Sequence, residues 1–281
     1  MLLVVALASC RVVPAPPSEP RLDPRSVTPP ELLPEDLDFV VRIDAARVRE
    51  NPMLAGVARD LAKTSGSQML DSVKGAFEDA TAIWIGTRWM SDGFHGDGVI
   101  AIERTPGSDL QSMPPQRDIT VIERPARARG DAALEIVLRG RGLVLATPAE
   151  VDAVFRVLRS VPDRSRLDPP AHGLVSFAGR MRPSTPIDVV AQSTLRELTQ
   201  GLVGYAGTIE ERAAIEVDAA LTYGSVTDAK RAADKARDAA ARLGALEGTV
   251  GTVAHSVKLT EIGASLRIRA EVPFAWLAEL H

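Results

Sequence analysis

Reactive side chains are few in this chain, so their spacing matters more than their number. Cys10 is the only cysteine among 281 residues. Neither an internal disulfide nor a cysteine-ligated zinc site can be built from it. The four histidines, His95, His172, His255 and His281, are scattered. No two have the spacing of a helical zinc site, and the H-E-x-x-H and G-x-S-x-G patterns are absent. The densest polar cluster is the loop Asp92-Gly93-Phe94-His95-Gly96-Asp97-Gly98. His95 between Asp92 and Asp97 could ligate a divalent metal, or act as a base oriented by a carboxylate. The same composition is what a plain hairpin loop requires, and no further ligand lies near in sequence. Gly201, Gly204 and Gly207 match neither phosphate-loop spacing, so a loosely packed strand is expected there. Glu210-Glu211-Arg212 reads as a hairpin turn with solvated charges. Catalytic residues and cofactors are therefore expected to be none.

The lone cysteine gains meaning from what precedes it. Met1 to Ala8 is apolar and ends in small residues, as a secretory cleavage site requires. Leu7-Ala8-Ser9-Cys10 resembles the lipobox of bacterial lipoproteins. That resemblance implies cleavage between Ser9 and Cys10, a lipid on the Cys10 sulfur and an acyl group on the new amino terminus. Residues 1–9 would be the signal peptide. They hold no basic residue, which points to a clipped start. Arg11 stands where enteric bacteria place a retention aspartate, so the resemblance implies the outer membrane rather than the inner. A spanning helix needs about 20 apolar residues, and Arg11 interrupts this run. The alternative is a buried strand Leu2-Leu3-Val4-Val5 with Cys10 as an ordinary core thiol.

Residues 10–36 then read as a tether. From Arg11 to Asp36 there are eight prolines and no aromatic residue. Such a stretch is expected to stay extended, at about 3.1 Å per residue. The whole chain is 45 % apolar and 25 % charged, the profile of a globular protein. Its net charge of −4 offers no basic field to nucleic acid. Aromatic residues make up only 4 %, too few for a stacking platform.

Hydrophobic periodicity predicts two α+β repeats, 37–160 and 171–281, joined by the polar segment Val161 to Pro170. In the first, strands are expected at 38–44, 80–88, 98–104, 119–123, 133–138 and 142–146. Helices are expected at 52–63, near 108–113, and at 148–158 with Thr147 as N-cap. In the second, strands are expected at 173–178, 202–210, 213–223, 250–258 and 264–271. Helices are expected at 187–199, 226–243 and 274–280. The second half thus reads strand, helix, two strands, helix, two strands, helix, and the first is read as a repeat of that order with one further strand before its last helix. That order suits ferredoxin-like antiparallel sheets with helices on one face. Helix 226–243 is the clearest element. Asp228 or Thr227 caps it, Ala229, Ala232, Ala233, Ala236, Ala240 and Leu243 share a face, Lys230 faces Asp234, and Gly244 stops it.

The chain also resembles the arginine- and alanine-rich lipoproteins that large bacterial genomes encode in numbers. The lipobox and the proline-rich stretch carry that resemblance. It implies a cell-envelope location, with the membrane as a partner through the lipid on Cys10. The functional expectation is a non-enzymatic binding or scaffold module contacting another envelope protein. The alternatives are a metal-dependent hydrolase on Asp92, His95 and Asp97, and a small-ligand carrier in a cleft between the repeats. Arg124, Arg127, Arg129, Arg139 and Arg141 could touch anionic headgroups, or simply be solvated hairpin ends.

Overall fold

A computed structural model describes residues 27–51, 78–88, 97–105, 118–126, 131–159, 166–182 and 197–274. Eleven strands form one sheet. They are β1 Phe39–Asp44, β2 Ala80–Thr87, β3 Gly98–Arg104, β4 Ile119–Glu123, β5 Leu134–Leu138 and β6 Gly142–Ala146. The second half adds β7 Val175–Arg180, β8 Leu202–Glu211, β9 Ile215–Tyr223, β10 Lys258–Ile262 and β11 Ser265–Val272. Four α-helices are described: α1 Ala45–Glu50, α2 Val151–Arg159, α3 Val226–Gly244 and α4 Thr249–Ser256. The sheet order is β10-β11-β9-β8-β7-β1-β2-β3-β6-β5-β4, and every pair is antiparallel.

The expectation of two separate sheets is corrected by this order. β1 pairs with β2 on one side and with β7 on the other, from Phe39↔Gly179 to Ile43↔Val175. Two sheets that each left a first strand bare would expose unpaired backbone groups; joining those edges satisfies both. The joint is closely packed. A Cβ on Gly179 would lie 2.2 Å from the Tyr205 ring, which sits 5.9 Å from Phe39.

Helices on one face only is likewise corrected. Paired residues share a face, so the register can be followed across the sheet. Val40, Val99, Ala101, Val144 and Ala146 point to one side, where they meet α2 through Val154 and Val157. Leu221, Leu266, Ile268 and Leu259 point to the other side, where they meet Ala229, Ala232 and Ala233 of α3. α2 and α3 therefore cover opposite faces, while α1 lies on the α3 side, where Ala45 is buried with Ile83, Ile100 and Ile102. Among the described residues, no helix is long and apolar enough to cross a membrane.

The stretch 10–36 is not a tether to its end. Pro29–Leu32 forms a 3₁₀ turn with a Thr28–Glu31 capping box. Val27, Leu32, Leu33 and Leu37 are buried in the α2-side core. Arginines hold the backbone of this strap. Arg141 donates to the Val27 carbonyl at 2.6 Å, Arg180 to Glu35 at 2.9 Å and Arg88 to Asp36 at 3.0 Å. Arg182 also donates to the Asp36 carbonyl. Prolines here supply a fixed φ for a turn, and the leucines beside them supply the burial. The seam residues Arg180 and Arg182 belong to the β7 end, so one strap contacts both halves.

Local corrections follow the same physics. Thr147 stands at the N-cap position of a 3₁₀ turn, Pro148–Glu150, but makes no cap bond. Its hydroxyl instead accepts from the Gly98 amide at 3.0 Å. Ser225, not Thr227 or Asp228, caps α3, accepting from the Asp228 amide at 3.1 Å. Asp234 pairs with Arg237 at 2.8 Å rather than with Lys230. Gly244 lies within α3, whose C-cap is Ala245, and the positive-φ Gly248 (φ +85°) stands at the N-cap of α4. The strand expected at 250–258 is α4, followed by β10. Helices expected at 52–63, 108–113 and 274–280, and most of 187–199, lie outside the described residues.

Candidate apolar binding groove

An apolar concavity of about 340 Å³ lies between α3, α4 and the sheet. Ser225 starts α3 and the alanine face seats it close to β9 and β11. Alanine buries little area but permits close approach, so α3 leaves its later turns free to form a wall. Ala236, Ala239, Ala240 and Leu243 line it. The chain then turns sharply. A Cβ on Gly251 would fall 2.0 Å from the Leu246 carbonyl, and one on Gly244 would fall 3.0 Å from His255. These glycines let α4 lie against the end of α3. Val250, Val253 and Ala254 form the opposite wall, and Leu259 and Ile268 lie on the sheet side. The lining is almost wholly aliphatic. Its outer rim stays open: Leu243 and Val250 are each 46 % exposed, and the nearby Leu246 is 54 % exposed.

Charged pairs lie beside this groove. Lys235 meets Glu197 at 3.0 Å, and Arg237 links Asp234 to Glu261 on β10. The arrangement is an apolar trough with a charged border, which suits association.

A second, polar recess of about 290 Å³ lies on the opposite face of the same strands. Asp218 is central to it. Arg267 donates to both of its oxygens, at 2.7 and 2.6 Å, and Arg269 at 2.9 Å. The hydrogen bonds from Arg267, then from Arg269, hold this carboxyl below its ordinary range. Its charge is thus spent on neighbours.

Cys10 and Ser9 lie outside the described residues, as do Asp92 and His95. Asp97 is half-buried just before β3. Among the described residues, no three His, Cys, Asp or Glu side chains stand close enough to hold a metal ion. His172 is exposed before β7, and His255 sits in the last turn of α4. Gly201 takes φ +78° beside Asp228, while Gly204 and Gly207 are β8 residues packed near neighbouring strands. Glu210 and Glu211 are not solvated turn charges: Glu210 pairs with Arg47 at 2.8 Å, and Glu211 accepts from Asn51. Arg124 pairs with Glu135, and Arg141 grips the strap. The two halves meet along the continuous β1–β7 ladder, so the groove lies within the second half rather than in a cleft between them.

The α4 side of the groove was hidden by its β-branched residues. Val250, Val253, Ala254 and Val257 nevertheless recur at helical steps, and that spacing was the available signal.

No family model and no curated protein matches the chain. Among solved structures, crystal form I of TP0453, a treponemal protein, is similar with a TM-score of 0.47 at 9 % identity. It covers 91 % of this chain and 96 % of that one. Crystal form III gives 0.49 at 9 % identity, covering 90 % and 97 %.

Proposed function

We propose that the chain is a lipid-anchored envelope protein, attached through Cys10 at the outer membrane, that works as a non-enzymatic binding or scaffold module. The observation that carries the binding role is the open aliphatic trough between α3 and α4. The occupant proposed is an amphipathic helix of another envelope protein. An aliphatic trough accepts leucine-like anchors at helical spacing. The alternating charges of Lys235, Glu197, Arg237 and Glu261 would meet that helix's polar flanks. The lining has almost no polar atom to orient a small ligand's headgroup.

The finer architecture is part of this proposal. Counting outward from the seam, the first half runs β1-β2-β3-β6-β5 and the second β7-β8-β9-β11-β10. The same order in both directions supports two copies of one unit, with β4 as an addition. The other reading, a metal-dependent hydrolase on Asp92, His95 and Asp97, rests on two residues, Asp92 and His95, outside the described ones.

The test is photocrosslinking in the native host, with the reactive residue at Leu243 or Val250 and a control at Arg267 on the far face. A discrete adduct from the groove positions, abolished by the groove-filling Ala240→Trp, is expected. Equal adducts from Arg267, or adducts indifferent to Ala240→Trp, would overturn the reading.

A further inference from the structure

On the sheet face opposite α3, Arg42 and Ser176 are direct partners across the β1–β7 seam. Their side chains therefore emerge side by side, with Cβ atoms about 5 Å apart. Ser176 is fully buried at 0 % exposure, and its Oγ has no hydrogen-bond partner. The Nη1 of Arg42 is enclosed as well and has no acceptor. The guanidinium rests over the Trp84 ring at 5.9 Å. Among the described residues, the nearest carboxylate in its reach is that of Asp44, whose Oδ2 is 3.9 Å from Nη2. That is beyond hydrogen-bonding distance. The other Asp44 oxygen is already occupied, accepting from the Arg47 amide at 3.0 Å as the cap of α1.

A buried polar group without a partner costs about 1–3 kcal/mol, more when charged. Here one guanidinium nitrogen, Nη1, and a hydroxyl on the residue beside it by register both lack one. Water would satisfy the hydroxyl but leave the charge poorly balanced. An oxyanion answers both needs, since one oxygen can accept from Nη1 and another from the serine hydroxyl. Thr208, 8 % exposed and the register partner of Ser176, lies next in the same row. We infer that Arg42 and Ser176 form a binding site for a small oxyanion, a phosphate or a carboxylate. The site is separate from the apolar groove, which lies on the other face. The Arg42 side chain is 17 % exposed.

Trp84 beneath the guanidinium gives the readout. The chain holds three tryptophans, so Trp89→Phe and Trp276→Phe leave Trp84 as the sole emitter. Inorganic phosphate and acetate are titrated separately into the full chain at constant ionic strength, with chloride as the control. A saturable change in Trp84 emission with phosphate or acetate is expected. It should weaken at least tenfold in both Arg42→Gln and Ser176→Ala, with circular dichroism unchanged. A carboxylate site would answer to acetate and a phosphate site to phosphate. No saturable response to either, or the same response in Ser176→Ala, would overturn the site. A Ser176→Ala variant that is more stable at every phosphate and acetate concentration would show an enclosed water only.

Discussion

Leu32→Ala separates a packed strap from a loose tether. Leu32 is 0 % exposed and belongs to the core shared with Leu33, Leu37, Val154 and Val157. Truncating a fully buried leucine costs about 2–5 kcal/mol, because a cavity adds to the lost transfer energy. The 3₁₀ turn around Leu32 can relax more than a sheet interior, so about 3 kcal/mol is expected. For a domain of this size each kcal/mol lowers Tm by about 2–4 °C. Thermal unfolding followed by circular dichroism should therefore show Tm lower by about 6–12 °C. Leu246→Ala is the control: at 54 % exposure it should stay within about 0.5 kcal/mol of wild type. Were residues 27–36 an unpacked linker, Leu32→Ala would behave like Leu246→Ala, and that result would refute the strap.

Glu150 is 2 % exposed and is held by Arg88 at 2.6 Å, while Arg88 also reaches Asp36 at 2.7 Å. Burial works against the Arg88 charge, yet its hydrogen bonds to Asp36 and Glu150 keep the guanidinium above its ordinary range. Arg88→Gln leaves a buried carboxylate alone and should cost about 3 kcal/mol in urea unfolding; adding Glu150→Gln should recover over half, and no recovery would count against the pair. Burial raises the Tyr223 phenol to about 12, with its hydroxyl donating to the Leu198 carbonyl at 3.0 Å. The fold favours the neutral phenol, so this stability is full below about pH 10, the unfolded value, and is lost as pH rises through about 12. Ultraviolet titration should show a late tyrosinate step that Tyr223→Phe removes; an unchanged curve would contradict the burial.

Much of the strand framework was legible because hairpin strands alternate and turn residues bound them. β2, β3, β5 and β6 lie within a residue or two of where their pattern places them. Helix α3 was legible through its alanine spacing, although its cap was misplaced. Ser225, Thr227 and Asp228 are all competent caps, and only backbone conformation selects among them. The seam was not legible. β1 and β7 lie more than a hundred residues apart, and nothing in FVVRID names VSFAGR as its neighbour. Helix α4 is not legible locally, because valine and threonine favour strands while packing against α3 decides otherwise. The strap is hidden by its composition: its prolines point to an extended chain, while Val27, Leu32, Leu33 and Leu37 are spaced irregularly and show no helix or strand period. Asp92 and His95 lie outside the described residues.

The central claim is that the protein is carried on lipid at Cys10, and it is tested most directly by intact mass and membrane partition. Wild type and Cys10→Ala are prepared from the native host and fractionated side by side. Wild type should partition with membranes and begin at Cys10, carrying the added mass of a diacylglyceryl group and an acyl chain, while Cys10→Ala should do neither. A wild type that stays in the soluble fraction with residues 1–9 intact and an unmodified thiol would contradict the account.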